Sequence, residues 1–122
     1  MANNDKIINV ITGFVEGGDT SNTILLDQLL HKDFRVSSNN FMGNPGIAII
    51  NKEQYLSNIR AGIFGGLPRK MSIESIDQNE SIAMVKLRLE SSENYFVSYN
   101  LLVQDTDSQW KIIDNLAIVE SK

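Results

Sequence analysis

The period of the apolar residues changes once along this chain, near residue 69, and that change limits what the chain can fold into. From Arg69 the pattern alternates as strands do, in four runs: Arg69 to Asp77, Ile82 to Glu90, Tyr95 to Gln104 and Gln109 to Val119. Asp77-Gln78-Asn79-Glu80, Ser91-Ser92-Glu93-Asn94 and Asp105-Thr106-Asp107-Ser108 separate them with turn-favouring residues, so the runs read as a meander of antiparallel hairpins.

Upstream, the apolar spacing is three and four. Ile7, Ile8, Ile11, Phe14 and Val15 predict a helix over Asp5 to Glu16, with Asn4 placed to cap it and Gly17-Gly18 to stop it. Leu25, Leu26, Leu29 and Leu30 predict a second over Ser21 to Leu30, capped by Thr20 or Ser21. A third begins at Asn51, where Gln54 holds the reciprocal capping-box position, and carries Tyr55, Leu56, Ile59 and Ile63 before Gly62 to Pro68 ends it. Phe34 to Ser37 alternates like a short strand, and Gly43-Asn44-Pro45-Gly46 marks a turn.

Element length then constrains shape. A strand of about ten residues at roughly 3.3 Å each spans over 30 Å, whereas a twelve-residue helix covers about 18 Å. Helices that short cannot roof strands that long, and long strands twist and curl. The expected fold is α+β: a strongly bent antiparallel sheet against three helices of the N-terminal half, one domain over residues 1–122, with a candidate pocket where the hollow is left open.

Neither face of the later strands is plainly polar. Tyr95, Val97, Tyr99, Leu101 and Val103 share one face while Phe96 and Leu102 lie on the other; Trp110, Ile112, Leu116 and Ile118 face away from Ile113, Ala117 and Val119. A half-buried antiparallel strand alternates more cleanly, and large exposed apolar patches mark interfaces. A homodimer through the outer sheet face is therefore expected.

Composition narrows the function classes. A formal net charge of -4 repels a phosphate backbone, so no nucleic-acid partner is expected. The chain has no cysteine, which removes disulfides, thiolate metal sites and cysteine nucleophiles and suits a reducing compartment. Met1-Ala2-Asn3-Asn4-Asp5-Lys6 lacks the marks of a secretory signal, and no apolar stretch approaches the roughly 20 residues of a bilayer span. The expectation is a cytoplasmic protein without a membrane partner.

Four short motifs fall in a telling order: Ile11-x-x-Phe14-x-x-Gly17, Leu30-His31-x-x-Phe34, Lys52-Glu53-Gln54-Tyr55-Leu56 and Trp110-Lys111-Ile112-Ile113. Together with the helix-then-strand order they resemble the nuclear-transport-factor-two-like superfamily of cone-shaped α+β folds, nearest to its lumazine-binding branch, which is related to the SnoaL-like cyclases. The resemblance implies a conical, cystatin-like fold with a pocket between sheet and helices, and often a homodimer. It implies no single chemistry, since such proteins include isomerases, dehydratases, cyclases and binders, so function has to be argued from the site.

Asp114 interrupts an apolar face between Ile112 and Leu116. Buried, its carboxyl would titrate high and serve as a general base, in the manner of ketosteroid isomerase-like proteins; the plainer reading is an ion pair or a bulged, exposed position. Tyr99 and Tyr55 could direct hydroxyls into a cavity, polarising a carbonyl or orienting a ligand, or simply pack. Trp110 offers a stacking wall or a core residue. His31, the sole histidine, can line a pocket or orient the turn after the second helix. Arg88 shares its face with Met84, Lys86 and Glu90, so it reads as a solvated charge or an anion contact. A lone histidine without cysteine does not build a zinc site, so neither metal nor cofactor is expected. Three readings stay open: a homodimeric binder of an unidentified small molecule, a metal-independent isomerase, cyclase or dehydratase, and a non-catalytic interaction module.

Overall fold

The computed structural model describes residues 4–122, the side chain of Met42 excepted. Met1, Ala2 and Asn3, with which the reading of a chain without a secretory signal began, lie outside the described residues. Three helices, α1 (Asp5–Asp19), α2 (Thr23–Leu29) and α3 (Lys52–Arg60), pack on six strands: β1 (Leu30–Asn39), β2 (Ile47–Asn51), β3 (Lys70–Asn79), β4 (Ile82–Glu90), β5 (Asn94–Gln104) and β6 (Trp110–Ser121). The strands form one bent, open sheet in the order β2-β1-β6-β5-β4-β3. The expected α+β class and the C-terminal meander are what the chain adopts. Beyond expectation, β1 is ten residues long, β2 exists, and β1 joins the meander by running parallel to β6.

Irregular pairings mark where the sheet bends. Ile113 is an extra residue on β6 where Leu101 pairs with Asp114 but Leu102 with Ile112. Glu74 is the corresponding extra residue on β3, between the pairs made by Ile73 and Ser75. Such bulges increase local twist and bend the strand that carries them. The concave side receives Ile7, Ile11, Phe14 and Val15 from α1, Leu26 from α2 and Tyr55, Leu56 and Ile59 from α3, against Val85, Leu87, Leu89, Leu102 and Ile112 of the sheet. Full burial of each such side chain is worth about 1.5–3 kcal/mol.

Asn51 caps α3 as its sequence indicates: its side chain accepts from the Gln54 backbone N–H at 2.9 Å, and the Gln54 side chain accepts from the Asn51 N–H at 2.9 Å. For α2 the cap is Asn22, which accepts from Leu25 N–H at 3.1 Å, rather than Thr20 or Ser21. Asn4 precedes α1 without a side-chain capping bond. Gly17-Gly18 does not stop α1 either, because the helix runs through both to Asp19. Both lie in close contacts: a Cβ on Gly17 would lie 2.8 Å from Leu26 Cδ2 of α2, so the leucine side chain would have to shift, and one on Gly18 would lie 3.0 Å from the Arg69 guanidinium.

The loop after α3 docks on the same helix end. Gly66 N–H donates to Gly18 O at 3.0 Å, and Gly65, with φ +74°, lies where a Cβ would stand 2.2 Å from Gly18 O. Gly65→Ala should therefore cost at least about 2–3 kcal/mol by urea denaturation, combining left-handed strain with a backbone clash. Gly62→Ala, at φ +75° with nothing within 4 Å of its Cβ, should cost only about 1 kcal/mol. Equal losses would show that the docking contact is unimportant.

Candidate functional site

The inner face of the sheet is apolar at both ends and polar in between. Along β5 it presents Phe96, Ser98, Asn100 and Leu102, of which Ser98, Asn100 and Leu102 are buried. Beyond the Ile113 bulge β6 presents Asn115, Ala117 and Val119 to the same side. Register aligns Ser38 of β1 with Ala117, Ala117 with Ser98, and Asn115 with Asn100. Ser38, Ser98 and Asn115 are 5–7% exposed and Asn100 is fully buried, so an uncharged polar strip crosses three strands inside the fold.

Its hydrogen bonds fix the orientation of both carboxamides. Asn100 Nδ2 donates to Ser98 Oγ at 3.2 Å and to Val85 O at 3.5 Å, which leaves its Oδ1 to accept from Asn115 Nδ2 at 2.6 Å. Asn115 Oδ1 is thereby turned away from Asn100, and it makes no hydrogen bond among the described residues. The Ser38 hydroxyl also lacks a partner there. Neither atom belongs to the fully sealed, unpaired acceptors, which are Asn4 Oδ1 and Gln78 Oε1.

Aromatic side chains cluster on the helical side of the core. Tyr55 packs against Phe34 (5.5 Å between ring centroids), Phe14 (6.1 Å) and Phe64 (6.0 Å), and Phe64 meets Phe41 edge-on at 5.5 Å. Phe41 begins the 3-10 turn Phe41–Gly43 between β1 and β2, so this pair bridges two loops. Burial pushes the Tyr55 phenol up to about 12, with Arg69 opposing the rise and Asp19 adding to it.

Asp19 and Arg69 form a clamp beside Tyr55. Asp19 accepts from Arg69 Nε at 2.6 Å and from the Arg69 backbone N–H at 3.0 Å, while the guanidinium reaches Val15 O at 3.4 Å and lies 5.1 Å from the Phe96 ring centroid. A carboxylate at a helix C-terminus is unfavourable, and the arginine both neutralises it and adds a bond to the Val15 carbonyl near that helix end. Sequence reading took Arg69 only for the start of a strand; no local pattern links it to a residue fifty positions away.

The residues singled out from sequence are not gathered in one place. Asp114 faces outward, because the bulge puts it and Ile112 on opposite sides; it is 36% exposed and its carboxylate stands 3.6 Å from Arg35 Nε. The condition under which it was expected to act as a base, burial on the Ile112 face, is not met. Tyr99 also lies on the outer face, two residues from Leu101, with Lys86 Nζ 5.5 Å from its ring centroid; the parity that turns Asn100 inward turns Tyr99 outward. Arg88 is exposed and paired with Glu74. Trp110 is part of the core.

His31 ties the start of β1 to the β5–β6 turn. Its Nδ1 accepts from Asp33 N–H at 3.0 Å and its Nε2 stands 3.4 Å from Asp105 Oδ2. The Asp105 carboxyl is held below the usual carboxylate range by the Thr106 N–H, with His31 contributing. Of the named residues Tyr55 and Trp110 belong to the buried core between helices and sheet. The polar strip was missed, although Ser98 and Asn100 could have been found as interruptions of the Phe96–Leu102 face. Asn115 could not, since the bulge reverses its parity.

Two surface grooves lie elsewhere. One of about 520 Å³ runs past Arg35, Lys52 and Asp114. The other, of about 620 Å³, runs past Arg88, Tyr95, Tyr99 and Ile118 on the outer face. No group of acidic or histidine side chains suited to a metal ion occurs among the described residues, and no helix there is long and apolar enough to cross a membrane.

The model of a protein family described as "Putative lumazine-binding" matches residues 2–116. No curated protein matches the chain significantly. Among solved structures the fold is similar to an NTF2-like protein of unknown function from Shewanella baltica, with TM-score 0.82 and 14% identity over 96% of this chain and 93% of that one. A second NTF2-like protein of unknown function, from Silicibacter pomeroyi, gives TM-score 0.81 and 10% identity over 94% and 93%. A ketosteroid isomerase-like protein from Erwinia carotovora gives TM-score 0.76 and 10% identity over 95% of each chain. At these identities the likeness concerns the fold.

Two outcomes follow from the geometry. Below pH 10 the Tyr55 phenol is protonated in folded and unfolded chains alike; between pH 10 and about 12 the unfolded chain ionises first, so stability falls as pH rises. Tyr55→Phe should remove on the order of 1 kcal/mol per pH unit of that fall, read from denaturation midpoints across the window. Arg69→Ala, which leaves a largely buried carboxylate at a helix end, should cost about 1–3 kcal/mol by thermal denaturation, and Asp19→Asn less.

Proposed function

The chain belongs to the family described as putative lumazine-binding, within the NTF2-like superfamily, and from that premise we propose that it is a homodimeric small-molecule-binding protein whose ligand contacts the inner polar strip. Family and fold fit a ligand-binding protein. The observation that carries the site is the pair of unpartnered polar groups, the Ser38 hydroxyl and Asn115 Oδ1, on side chains more than nine-tenths buried inside the fold. Buried polar groups are normally paired, and an incoming molecule is a natural partner for those that are not.

Binding without turnover is better supported than an isomerase, cyclase or dehydratase reaction. Proton transfer needs an acid or base within hydrogen-bond reach of the substrate. Asp114 and Tyr99 face outward, and the Tyr55 phenol, pushed up to about 12, is a poor base near neutrality.

The outer face supports the homodimer. Tyr95, Tyr99, Leu101, Leu116 and Ile118 are each 42–52% exposed on adjoining strands, and the register carries this apolar surface from Leu116 through Ser37 to Ile49 of the edge strand. A second copy of the same face would cover it. Sedimentation should give a dimer, and Leu116→Glu should weaken it roughly thirtyfold or more, the equivalent of about 2 kcal/mol. A wild-type monomer at all concentrations would refute it. For the site, a thermal-shift screen of lumazine and polycyclic aromatics should raise the melting temperature; silence with every compound would contradict the binding reading.

A further inference from the structure

We infer that His31 is a pH-operated latch on an excursion of β1, and that protonation of its ring resets the rim of the surface groove beside Arg35. Strand β1 departs from β6 just after it begins: Leu30 pairs with Ile112 and Arg35 with Asp114, so His31 to Phe34 stand where β6 has only Ile113. Both ends of this excursion are anchored, since Leu30 and Phe34 are buried in the core. Between them Lys32 and Asp33 are exposed and line the groove of about 520 Å³ together with Arg35, Lys52 and Asp114. The His31 side chain, only 13% exposed, closes the excursion from within, because its Nδ1 accepts from Asp33 N–H at 3.0 Å. The Leu30-His31-x-x-Phe34 motif thus supplies two core anchors and the ring that holds the segment between them.

That bond requires an unprotonated Nδ1, so the neutral ring carries its proton on Nε2, 3.4 Å from Asp105 Oδ2 in the turn between β5 and β6. A second proton goes to Nδ1, where two donors then face each other and the bond from Asp33 N–H is lost. The acceptor that can replace it is the Asp33 carboxylate, whose Oδ2 stands 3.9 Å from Nδ1 on a side chain that is 73% exposed. On the opposite side of the ring the grip tightens, because Asp105 stays ionised: the Thr106 N–H holds its carboxyl below the usual carboxylate range, with His31 and Lys111 of β6 contributing. Of the other cations nearby, Lys32 is exposed, and Lys52 of α3 is committed to Asp27 at 2.9 Å and to Leu30 O at 3.1 Å. Protonation therefore keeps the ring on Asp105 and exchanges its backbone partner for a side chain, which draws the Asp33 carboxylate off the groove and frees the Asp33 amide.

As the sole histidine, His31 can be followed without ambiguity by heteronuclear NMR of the full chain between about pH 8 and about pH 5, a span that covers an ordinary imidazole titration. At the upper end the ring should be the Nε2–H tautomer, with a nitrogen–nitrogen coupling across the hydrogen bond from Asp33 N–H to Nδ1. Through the ring's titration that coupling should vanish, Overhauser contacts between the ring and the Asp33 Hβ protons should strengthen, and the Lys32 and Asp33 amide signals should move with the same midpoint. In His31→Gln the same amides should stay still over this span. A neutral ring protonated on Nδ1, or a coupling that persists in the protonated protein, would overturn the inference. Lys32 and Asp33 amides that titrate alike in wild type and His31→Gln would overturn it as well. Tautomer and coupling are both read on the wild-type chain, so the test decides even where the variant fails to fold.

Discussion

A single extra residue, Ile113, decides which side of β6 faces the helices. Strand β6 joins the two parts of the sheet, running antiparallel to β5 on one flank and parallel to β1 on the other. Side chains alternate along a strand, so one inserted residue exchanges inside for outside over everything beyond it. Before the bulge Trp110 and Ile112 point to the core; after it Asn115, Ala117 and Val119 do, while Asp114, Leu116 and Ile118 turn outward. The same local event thus builds the inner polar strip and gathers the outer apolar surface.

The remainder of the fold accommodates that bent sheet. The apolar stripes of three short helices pack on the concave side, and glycines let the end of α1 be gripped closely: Gly17 faces Leu26 of α2, Gly18 faces Arg69, and Gly65-Gly66 brings the loop after α3 onto Gly18. Arg69 completes the grip by binding Asp19 and Val15 O, which ties the first helix to the first strand of the meander. The aromatic group around Tyr55, part of the buried core, rests on this support.

Much of this architecture is written in residue spacing. The helix–strand switch at residue 69, the capping box at Asn51 and the turn clusters of the meander each rest on local chemistry, and each is realised at nearly the expected residues. What local chemistry does not encode is long-range register. The extent of β1, its parallel pairing with β6, the existence of β2 and the Asp19–Arg69 clamp depend on partners far along the chain. Asp114 illustrates the difference: simple alternation sets it beside Ile112 on one face, and the bulge separates them. Asn100 was accessible to pattern reading as a polar break between Phe96 and Leu102, but attention to charged and aromatic residues passes over a buried amide.

The proposed homodimeric binder joins these features in one physical account, since the inner strip is polar without charge and the outer face is apolar and exposed. The most direct measurement is of the Asn115 side-chain amide resonances by two-dimensional NMR while lumazine is added. The account requires those signals to move saturably, with the Asn100 amide, already spent on three partners, following through its bond to Asn115. Shifts confined to Tyr95, Tyr99, Leu116 and their outward neighbours, with the Asn115 amide still, would contradict it.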